Sequence, residues 1–442
     1  MDILLDVFEL TIKEKKMNTY KKFLAIALAL CGISSMAEAG SYQLNDYSVT
    51  GLGRSYAGVG IVGDDYSAVA FNPAGMSLKR SGVQFGMTEV NLHADINSME
   101  NYGRYPAGSY GKMDHWVAIP NAFGQYNVNE KLTFGFGVYA PYGLATRYRA
   151  GWFGADTALE STLTVMDLAP AVSYKVTNKF TIGATFIARY IYGKMTNSLS
   201  SLGGGMSKFE LDGWTKTGVL GAMYEPTKGT RFGFSWRARS TQQVKGDHKI
   251  TGTLAAGGIF NQTATGWASP ALPETFTLSA YQRIQKVGLS ATARWTHWSQ
   301  SFPEFVMKSD SRLFNYVYAG NPRGSQVYAK TSKYNYDNTW TINLGADYYH
   351  NENWTFRAGV AYDEGATHNN TTRTYRIPDN DRYWASFGFS YMMNNVQFDV
   401  GYAHLFVRSS KVIADADNGY EPSGKFSTMH SDILGLQMQY AF

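Results

Sequence analysis

Apolar and polar residues alternate with a period of two in several parts of the chain. The alternation is clearest in the last eleven residues, which read D-I-L-G-L-Q-M-Q-Y-A-F from Asp432 to Phe442. Successive side chains of a β-strand point to opposite faces, so this pattern predicts a strand with one apolar face. A strand that ends the chain without a tail suits a closed barrel, in which the last strand pairs with the first.

Five earlier segments show the same alternation. They are residues 180–192, 231–239, 340–348, 354–362 and 383–391. In a soluble β-sandwich, the apolar face of such strands would pack against a second sheet. In an outer-membrane barrel, the apolar face would contact lipid and the polar face would line the lumen. The N-terminal segment of the chain favours the barrel.

This N-terminal segment has the order of a secretory signal. Lys21–Lys22 precede the apolar run Phe23–Ile33, which is followed by the small-residue motif Ala37–Ala39. The apolar run is too short for a membrane helix, which needs ~20 residues. We therefore interpret residues 1–39 as a signal peptide, and residues 1–16 within it as a misassigned upstream start.

The chain has one cysteine, Cys31, and it lies inside the predicted signal. Leu30 before it is too large for the usual lipoprotein signal, so lipid attachment is the less favoured alternative. The mature chain would then have no cysteine, which excludes a disulfide framework and thiol chemistry.

The connections between the predicted strands alternate in length. The short turns are near Asn127–Lys131, Val176–Lys179, Glu225–Gly229, Arg283–Lys286, His350–Asn353 and Met393–Asn395. The long links are near Ile96–Lys112, Pro141–Ser161, Asn197–Leu211, Gly246–Ser269, Ser301–Tyr336, Ala366–Asn380 and Ser409–Phe426. Short periplasmic turns and long extracellular loops are typical of outer-membrane barrels. Together these connections would join fourteen strands.

Residues 40–80 do not share the strand pattern. They are rich in Gly, Ser and Asp but contain scattered apolar residues, among them Leu44, Leu52 and Phe71. A disordered tail would leave these residues in water, so we expect a plug that folds inside the barrel. The predicted organisation is therefore a hatch over residues 40–80 and a barrel over residues 81–442.

Composition supports a membrane barrel. The chain has 31 Tyr, 25 Phe, 10 Trp and 45 Gly, and its mean hydropathy is −0.28. Aromatic residues form girdles in such barrels. The net charge of +5 is modest, and no basic run is dense enough to indicate nucleic-acid binding.

The candidate catalytic and cofactor motifs are weak. The G-x-G-x-x-G pattern at Gly58–Gly63 is followed by Asp64–Asp65, which would repel a phosphate. His297 and Ser299 are close in sequence, but a nucleophilic site also needs an orienting partner. The eight histidines do not have metal-ligand spacing. We expect no enzyme activity, no metal and no cofactor.

Motifs along the whole mature chain match one family. They are G-S-Y-Q-L-N from Gly40, G-L-G-R-S-Y-A-G from Gly51, F-N-P-A-G from Phe71, Y-G-L-A-T from Tyr142, L-P-E-T from Leu272, W-T-H-W-S-Q-S-F from Trp295, N-E-N-W-T-F-R-A-G-V-A-Y-D from Asn351, R-I-P-D-N-D-R-Y-W from Arg376 and the terminal Tyr-Ala-Phe. In these motifs the chain resembles the long-chain fatty acid transporters of outer membranes (FadL-type).

The resemblance implies an all-β, fourteen-stranded antiparallel transmembrane barrel with an N-terminal hatch in its lumen. It implies passive uptake of hydrophobic molecules, long-chain fatty acids above all. Substrate would bind first in an extracellular apolar groove, then in an internal pocket, and would leave sideways at a strand kink. Uptake of aromatic hydrocarbons is the alternative within the family. A general porin, an adhesin and an outer-membrane enzyme are less favoured.

The resemblance also implies roles for particular residues. Tyr42 and Leu44, at the mature N-terminus, are expected to contact substrate. Asn72, Pro73 and Ala74 match the family's hatch motif, which is expected near the kink. Two glycines that share one strand face and a proline beyond them suit a kink, because proline cannot donate to the strand ladder. The predicted kink therefore contains Gly135, Gly137 and Pro141.

The family uses cationic side chains to bind a carboxylate. Asn197 is found where the family's arginine would be expected, so this contact does not carry over. Arg189, Arg294 and Arg357 point inward by strand period and are the substitute candidates. Charge networks inside the barrel are the alternative role for these three residues, with Asp347 and Asp399 as inward-facing partners.

The expected partners follow from the same resemblance. They are a hydrophobic small-molecule substrate, membrane lipids, lipopolysaccharide and the barrel assembly machinery, which would recognise Phe442. We expect a monomer in the outer membrane of a Gram-negative cell.

Overall fold

The computed structural model describes residues 42–200, 203–253, 259–311 and 327–442. Its helices are α1 (Val49–Leu52), α2 (Ala68–Phe71), a 3-10 helix (Pro73–Leu78) and α3 (Trp298–Ser301). No helix in these ranges is both long enough and apolar enough to cross a membrane. The strands are β1 (Gly82–Ser98), β2 (Tyr110–Asn127), β3 (Leu132–Arg147), β4 (Glu160–Lys175), β5 (Phe180–Leu199), β6 (Gly205–Thr227), β7 (Thr230–Arg237), β8 (Ser240–Thr241), β9 (Val244–Thr253), β10 (Ile259–Ala268), β11 (Ala271–Leu272), β12 (Thr275–Ile284), β13 (Val287–Thr296), β14 (Glu304–Ser309), β15 (Tyr328–Lys333), β16 (Thr339–Tyr349), β17 (Trp354–Asp363), β18 (Arg382–Met393), β19 (Val396–Val407), β20 (Ser410–Val412) and β21 (Gly424–Ala441).

These segments form one closed antiparallel barrel. β1 pairs with β2 on one edge and with β21 on the other, so the sheet has no open edge there. Several barrel strands, or staves, are interrupted. β7, β8 and β9 form one stave and β10, β11 and β12 the next, while β13 and β14, β15 and β16, and β19 and β20 form three more. Counted in this way over the described residues, the barrel has fourteen staves, which confirms the predicted fold class.

The outer wall is apolar and the inner wall is mostly polar. Leu436, Phe387 and Phe186 point outward and are 57 %, 59 % and 56 % exposed. Their strand neighbours Gln437 and Ser386 point inward and are buried. An apolar outer face is typical of strands that contact lipid.

The short turns are found where the sequence predicted them, but three of the long links are largely strand. β5 continues to Leu199 and β6 begins at Gly205, so most of 197–211 is strand. β9 and β10 likewise fill most of the described part of 246–269, and β14 and β15 fill more than half of the described part of 301–336. These segments have no strict apolar alternation because strands that extend above the membrane do not contact lipid. The prediction of loops in these three segments was therefore wrong.

The N-terminal segment (42–80) contacts the inner wall on many sides. The Val49 main-chain N–H donates to Gln437 on β21, and the Gly58 N–H donates to Thr292 on β13. The Asn72 side chain donates to main-chain carbonyls of β6 and β7. Most residues of the segment are buried up to Met76. These contacts place it against inward-facing residues around the barrel.

Candidate functional site

An apolar cavity lies between the first residues of the N-terminal segment and the upper barrel wall. It encloses about 90 Å³ of free space. Its lining is almost entirely apolar, with Arg376 as its charged member. The apolar side chains around it are Tyr42, Leu144, Leu163, Ile191, Met195, Leu211, Val244, Leu272, Phe302, Phe305, Tyr334 and Ile377. Such a surface favours an alkyl or aromatic ligand, since each buried methylene contributes ~0.8 kcal/mol.

Tyr42 is held in the cavity by main-chain pairing with β3. Gln43 forms an antiparallel bridge with Tyr142. On either side of this bridge, the Leu44 N–H donates to the Pro141 carbonyl over 2.8 Å, and the Gly143 N–H donates to the Tyr42 carbonyl over 2.9 Å. The Tyr42 ring packs edge-on against Trp298, with their centroids 4.9 Å apart. The predicted substrate residue Tyr42 therefore lines the cavity and occupies space beside it.

Leu44 does not line this cavity. It belongs to a separate apolar cluster inside the barrel, which includes Val117, Ile119 and Ala145 from β2 and β3. The two predicted substrate residues at the N-terminus thus face two different apolar regions.

Arg376 extends from the loop between β17 and β18 to the cavity. Its Nη1 donates to the Ser161 hydroxyl over 3.0 Å, and its Nη2 is 3.5 Å from the amide oxygen of Asn197. Within the described ranges, no carboxylate oxygen lies within salt-bridge distance of this guanidinium. An arginine in an apolar site without a carboxylate partner can bind an anionic head group by charge-assisted hydrogen bonds.

Two titratable groups lie near Arg376 on the extracellular side, Glu421 in the loop between β20 and β21 and Lys330 on β15. Burial raises the pKa of Glu421 to about 7, even though this carboxyl accepts a hydrogen bond from the Tyr375 main chain. Burial, together with the nearby Arg376 charge, lowers the pKa of Lys330 to about 8. The charge around the cavity therefore becomes less positive as pH rises through this range.

The three arginines selected from the sequence do not line the cavity. Arg189 is buried and donates from Nε and Nη2 to both oxygens of Asp167, over 2.7 and 2.8 Å. Arg357 lies 3.2 Å from both Asp64 and Asp347. These two arginines are members of ion-pair networks within the barrel.

Arg294 differs from the other two. Its Nη1 donates to the Asn45 side chain over 2.5 Å, and its buried Nε has no hydrogen-bond partner in the described structure. No ion pair to a carboxylate of the described chain is found for it. The Nε–H group of Arg294 is therefore a hydrogen-bond donor without an acceptor, below the cavity.

Pairing between β2 and β3 stops midway along the barrel. Only Ala122–Asn127 pair with Thr133–Val138, although β2 begins at Tyr110 and β3 ends at Arg147. Both stretches are fully described, and no rung joins Tyr110–Asn121 to the upper part of β3. The register of β3 with β4 also shifts between Tyr139 and Tyr142. The hydrogen-bonded wall is therefore interrupted between β2 and β3 above this point, and this break in pairing is called the opening below.

Of the predicted kink residues, Pro141 is at the break. Gly135 and Gly137 come before it, in the part of β3 that still pairs with β2. A Cβ on Gly135 would lie 2.6 Å from Met76 Sδ and 2.8 Å from Val69 Cγ2. This glycine therefore allows the N-terminal segment to approach the wall.

The motif Asn72-Pro73-Ala74 is placed against β4–β7 rather than beside Pro141. The Asn72 side chain caps the 3-10 helix by accepting from the Ala74 N–H over 3.2 Å. A Cβ on Gly221 of β6 would lie 2.1 Å from the Asn72 amide oxygen. The motif thus fixes the end of the N-terminal segment to the wall through a close main-chain approach.

Sequence reasoning did not single out Arg376 or Asp167. Arg376 is in a loop, where strand period gives no orientation, although it begins one of the motifs that carry the family resemblance. Asp167 is in β4 among weakly alternating residues. The sequence did contain one indication of a role for Asp167, because a carboxylate in a predicted membrane strand requires a partner.

Together these features define a class of protein. It is a transmembrane barrel with an N-terminal segment against its inner wall, an apolar internal cavity and a break in strand pairing between β2 and β3. The family model described as "Outer membrane protein transport protein (OMPP1/FadL/TodX)" matches residues 30–442. The chain therefore belongs to this family of outer-membrane transport proteins, which confirms the resemblance and the outer-membrane location.

Known relatives match nearly the full length of the chain. The long-chain fatty acid transport protein of Escherichia coli strain K12 is 28 % identical over 468 residues, which cover 96 % of this chain and 98 % of that protein. Outer membrane protein P1 of Haemophilus influenzae is 25 % identical, covering 97 % of this chain and all of its own length.

Solved structures share the fold. A Pseudomonas aeruginosa FadL homologue superposes with a TM-score of 0.76 at 24 % identity, covering 91 % of this chain and 100 % of its own. The Pseudomonas putida toluene transporter TodX superposes with a TM-score of 0.69 at 15 % identity, covering 91 % and 100 %.

Proposed function

We propose that this protein takes up long-chain fatty acids passively through the outer membrane. The observation that carries the proposal is an apolar cavity whose one charged lining residue, Arg376, has no carboxylate partner in the described structure. A fatty acid has both an apolar tail and an anionic head group to match these features. The name of the E. coli relative, a long-chain fatty acid transport protein, supports the same substrate class.

In this proposal the N-terminal segment acts as the hatch. The free space of about 90 Å³ is small for a long alkyl chain. A long chain would therefore have to displace the Tyr42 ring, which is tied to β3 through Gln43 and Leu44. Displacement would release the edge of β3 next to the opening. Binding of the long chain in the cavity would in this way be coupled to its release through the opening.

The exit in this proposal is sideways, between β2 and β3. The missing rungs above Val138 and the shifted register at Pro141 support it. The apolar cluster containing Leu44, Val117 and Ile119 would offer the tail a dry route from the cavity. A path of this kind avoids exposing the tail to water and delivers it to the lipid phase.

Uptake of aromatic hydrocarbons is the second candidate. The size of the cavity and the aromatic rings of Tyr42, Phe302 and Tyr334 around it favour this reading. A hydrocarbon has no carboxylate, so it would not use Arg376. The two candidates can therefore be separated at this residue.

We expect Arg376→Ala to weaken oleate binding by about tenfold or more, since hydrogen bonds to charged groups contribute ~1.5–3 kcal/mol. Toluene binding should not change. Equilibrium titration of the purified full-length protein with each ligand measures both affinities. Arg294→Ala, tested in parallel, shows whether the unpaired Nε below the cavity also contributes. Arg408→Ala, on an exposed loop arginine paired with Asp381, serves as a control. Equal oleate affinity in the wild type and in Arg376→Ala would favour the hydrocarbon candidate.

Oleate affinity should fall as pH rises from 6 to 9. Glu421, with a pKa raised to about 7, is neutral at the low end and negative at the high end. Lys330, with a pKa lowered to about 8, is charged at the low end and neutral at the high end. Both changes remove positive charge near Arg376. Titrations across this range check the trend, and Glu421→Gln should flatten part of it. Oleyl alcohol, which has no carboxylate, is the control ligand, and a similar slope for it would contradict the explanation.

A further inference from the structure

His115 lies at the opening between β2 and β3. It is in the part of β2 that pairs with β1, opposite Leu92, but has no rung to β3. The neighbouring inward positions Met113 and Val117 are buried, whereas Trp116 points outward and is 56 % exposed. By the same alternation, the His115 side chain is on the lumen side of the opening.

The imidazole of His115 has no hydrogen-bond partner in the described structure. Both ring nitrogens, Nδ1 and Nε2, are buried. The ring lies near the main chain of Ala145 on β3, but neither nitrogen makes a hydrogen bond of normal geometry there. A buried polar group without a partner is costly, and each such group in a native protein calls for an explanation.

The charged groups around His115 do not supply that partner. Arg147, Asp114 and Glu160 are close enough to act on it electrostatically. However, Arg147 pairs with Glu160 over 3.3 Å, and Asp114 pairs with Lys112 over 2.9 Å. Each of the three is thus engaged elsewhere, and the imidazole keeps its hydrogen-bonding capacity.

We propose that His115 binds the carboxylate head group of the substrate as it leaves through the opening between β2 and β3. This inference rests on the proposed uptake of fatty acids and their sideways release. An imidazole N–H donates to a carboxylate, and the hydrogen bond offsets part of the cost of moving a charged group away from water. His115 is therefore a second head-group contact, at the exit and distinct from Arg376 at the cavity.

The outer wall provides a place for the tail at the same time. Directly below the opening, a groove on the lipid-facing side is lined by Ala122, Gly124, Phe134, Phe136 and Val138. Ala122 and Val138 form the last rung before the pairing of β2 with β3 is lost. The groove is thus continuous with the opening. The tail would enter the apolar groove while the head group still contacts His115, so the substrate would leave tail first.

The test compares His115→Phe and His115→Leu, which remove both nitrogens, with His115→Gln, which keeps a side-chain donor. Oleate uptake is measured in cells without another fatty acid transporter, and oleate binding is measured on the purified proteins. We expect both apolar variants to lower the uptake rate by about threefold to tenfold. Binding should stay unchanged, because His115 does not line the cavity. His115→Gln should restore much of the uptake.

The matched control is His404→Leu, an outward-facing histidine on β19 that pairs with Asp432. It should leave uptake at the wild-type level. Wild-type uptake in both apolar His115 variants would overturn the role of His115 while leaving the proposed function intact. A parallel loss of uptake and binding, without rescue by glutamine, would show a structural role instead and would also overturn it. No oleate uptake by the wild type would reject the proposed function itself, and the inference with it.

Discussion

Asp167→Asn is expected to lower the free energy of unfolding of the barrel by about 3–5 kcal/mol, the usual cost of breaking a buried ion pair. Asp167 and Arg189 are both fully buried, and the carboxylate also lies 3.4 Å from Arg237. Removing its charge leaves two arginines in the wall without their anionic partner. Arg237 in turn donates to the Ala70 carbonyl, so the change also loosens the contact of the wall with the N-terminal segment.

Urea titration of the refolded protein in detergent or lipid measures this loss. The matched control is Glu160→Gln, which removes a carboxylate from a half-buried pair with Lys194 and Arg147 at the rim. Ion pairs of that kind contribute about 0–1 kcal/mol. If the two variants lost equal stability, Asp167 would not be the anchor of the buried network.

A disulfide between residues 43 and 142 should nearly abolish uptake. Gln43 and Tyr142 form a bridge flanked by hydrogen bonds on both sides, which is the narrow, non-hydrogen-bonded pair of an antiparallel ladder. The Cα atoms of such pairs are ~4.5 Å apart, within the range that a disulfide spans. The proposed mechanism requires this bridge to open, so Gln43→Cys with Tyr142→Cys should stop oleate delivery when oxidised.

Reduction of the same protein should restore uptake at least to the level of the single variants. Gln43→Cys and Tyr142→Cys alone control for the loss of each side chain, and neither should respond to reductant. Cys31, the only native cysteine, lies in the predicted signal peptide and would not compete. Undiminished uptake by the fully oxidised double variant would mean that substrate passes without displacement of the N-terminal segment.

The fold could be predicted because lipid imposes a strict pattern. Residues such as Leu436 and Phe387 must face outward for the strand to cross a membrane, so the period of two is visible in the sequence. Above the membrane this constraint disappears. β5 and β6 continue there through polar residues up to Leu199 and from Gly205, and no pattern distinguished them from loops.

The contacts between side chains inside the barrel were less predictable, because strand period shows that a side chain points inward but not which residue it contacts. Asp347, predicted as an inward partner, does pair with Arg357. The partner of Arg189 is Asp167 on β4, which strand period alone did not indicate. Arg376 reaches the cavity from a loop, where no strand period indicates the direction in which a side chain points. The opening could not be located from Gly135 and Gly137 either. A glycine that admits a neighbouring main chain and one that permits a bend look identical in sequence.

The most direct test of the account is a crystal structure of the protein bound to a long-chain fatty acid brominated near its carboxyl end. Anomalous scattering locates the bromine independently of the model. The account predicts the bromine in the cavity beside Tyr42, with the carboxylate oxygens ~3 Å from the Arg376 guanidinium. Bromine found only on the outer wall, with the cavity empty and Arg376 unbound, would contradict it.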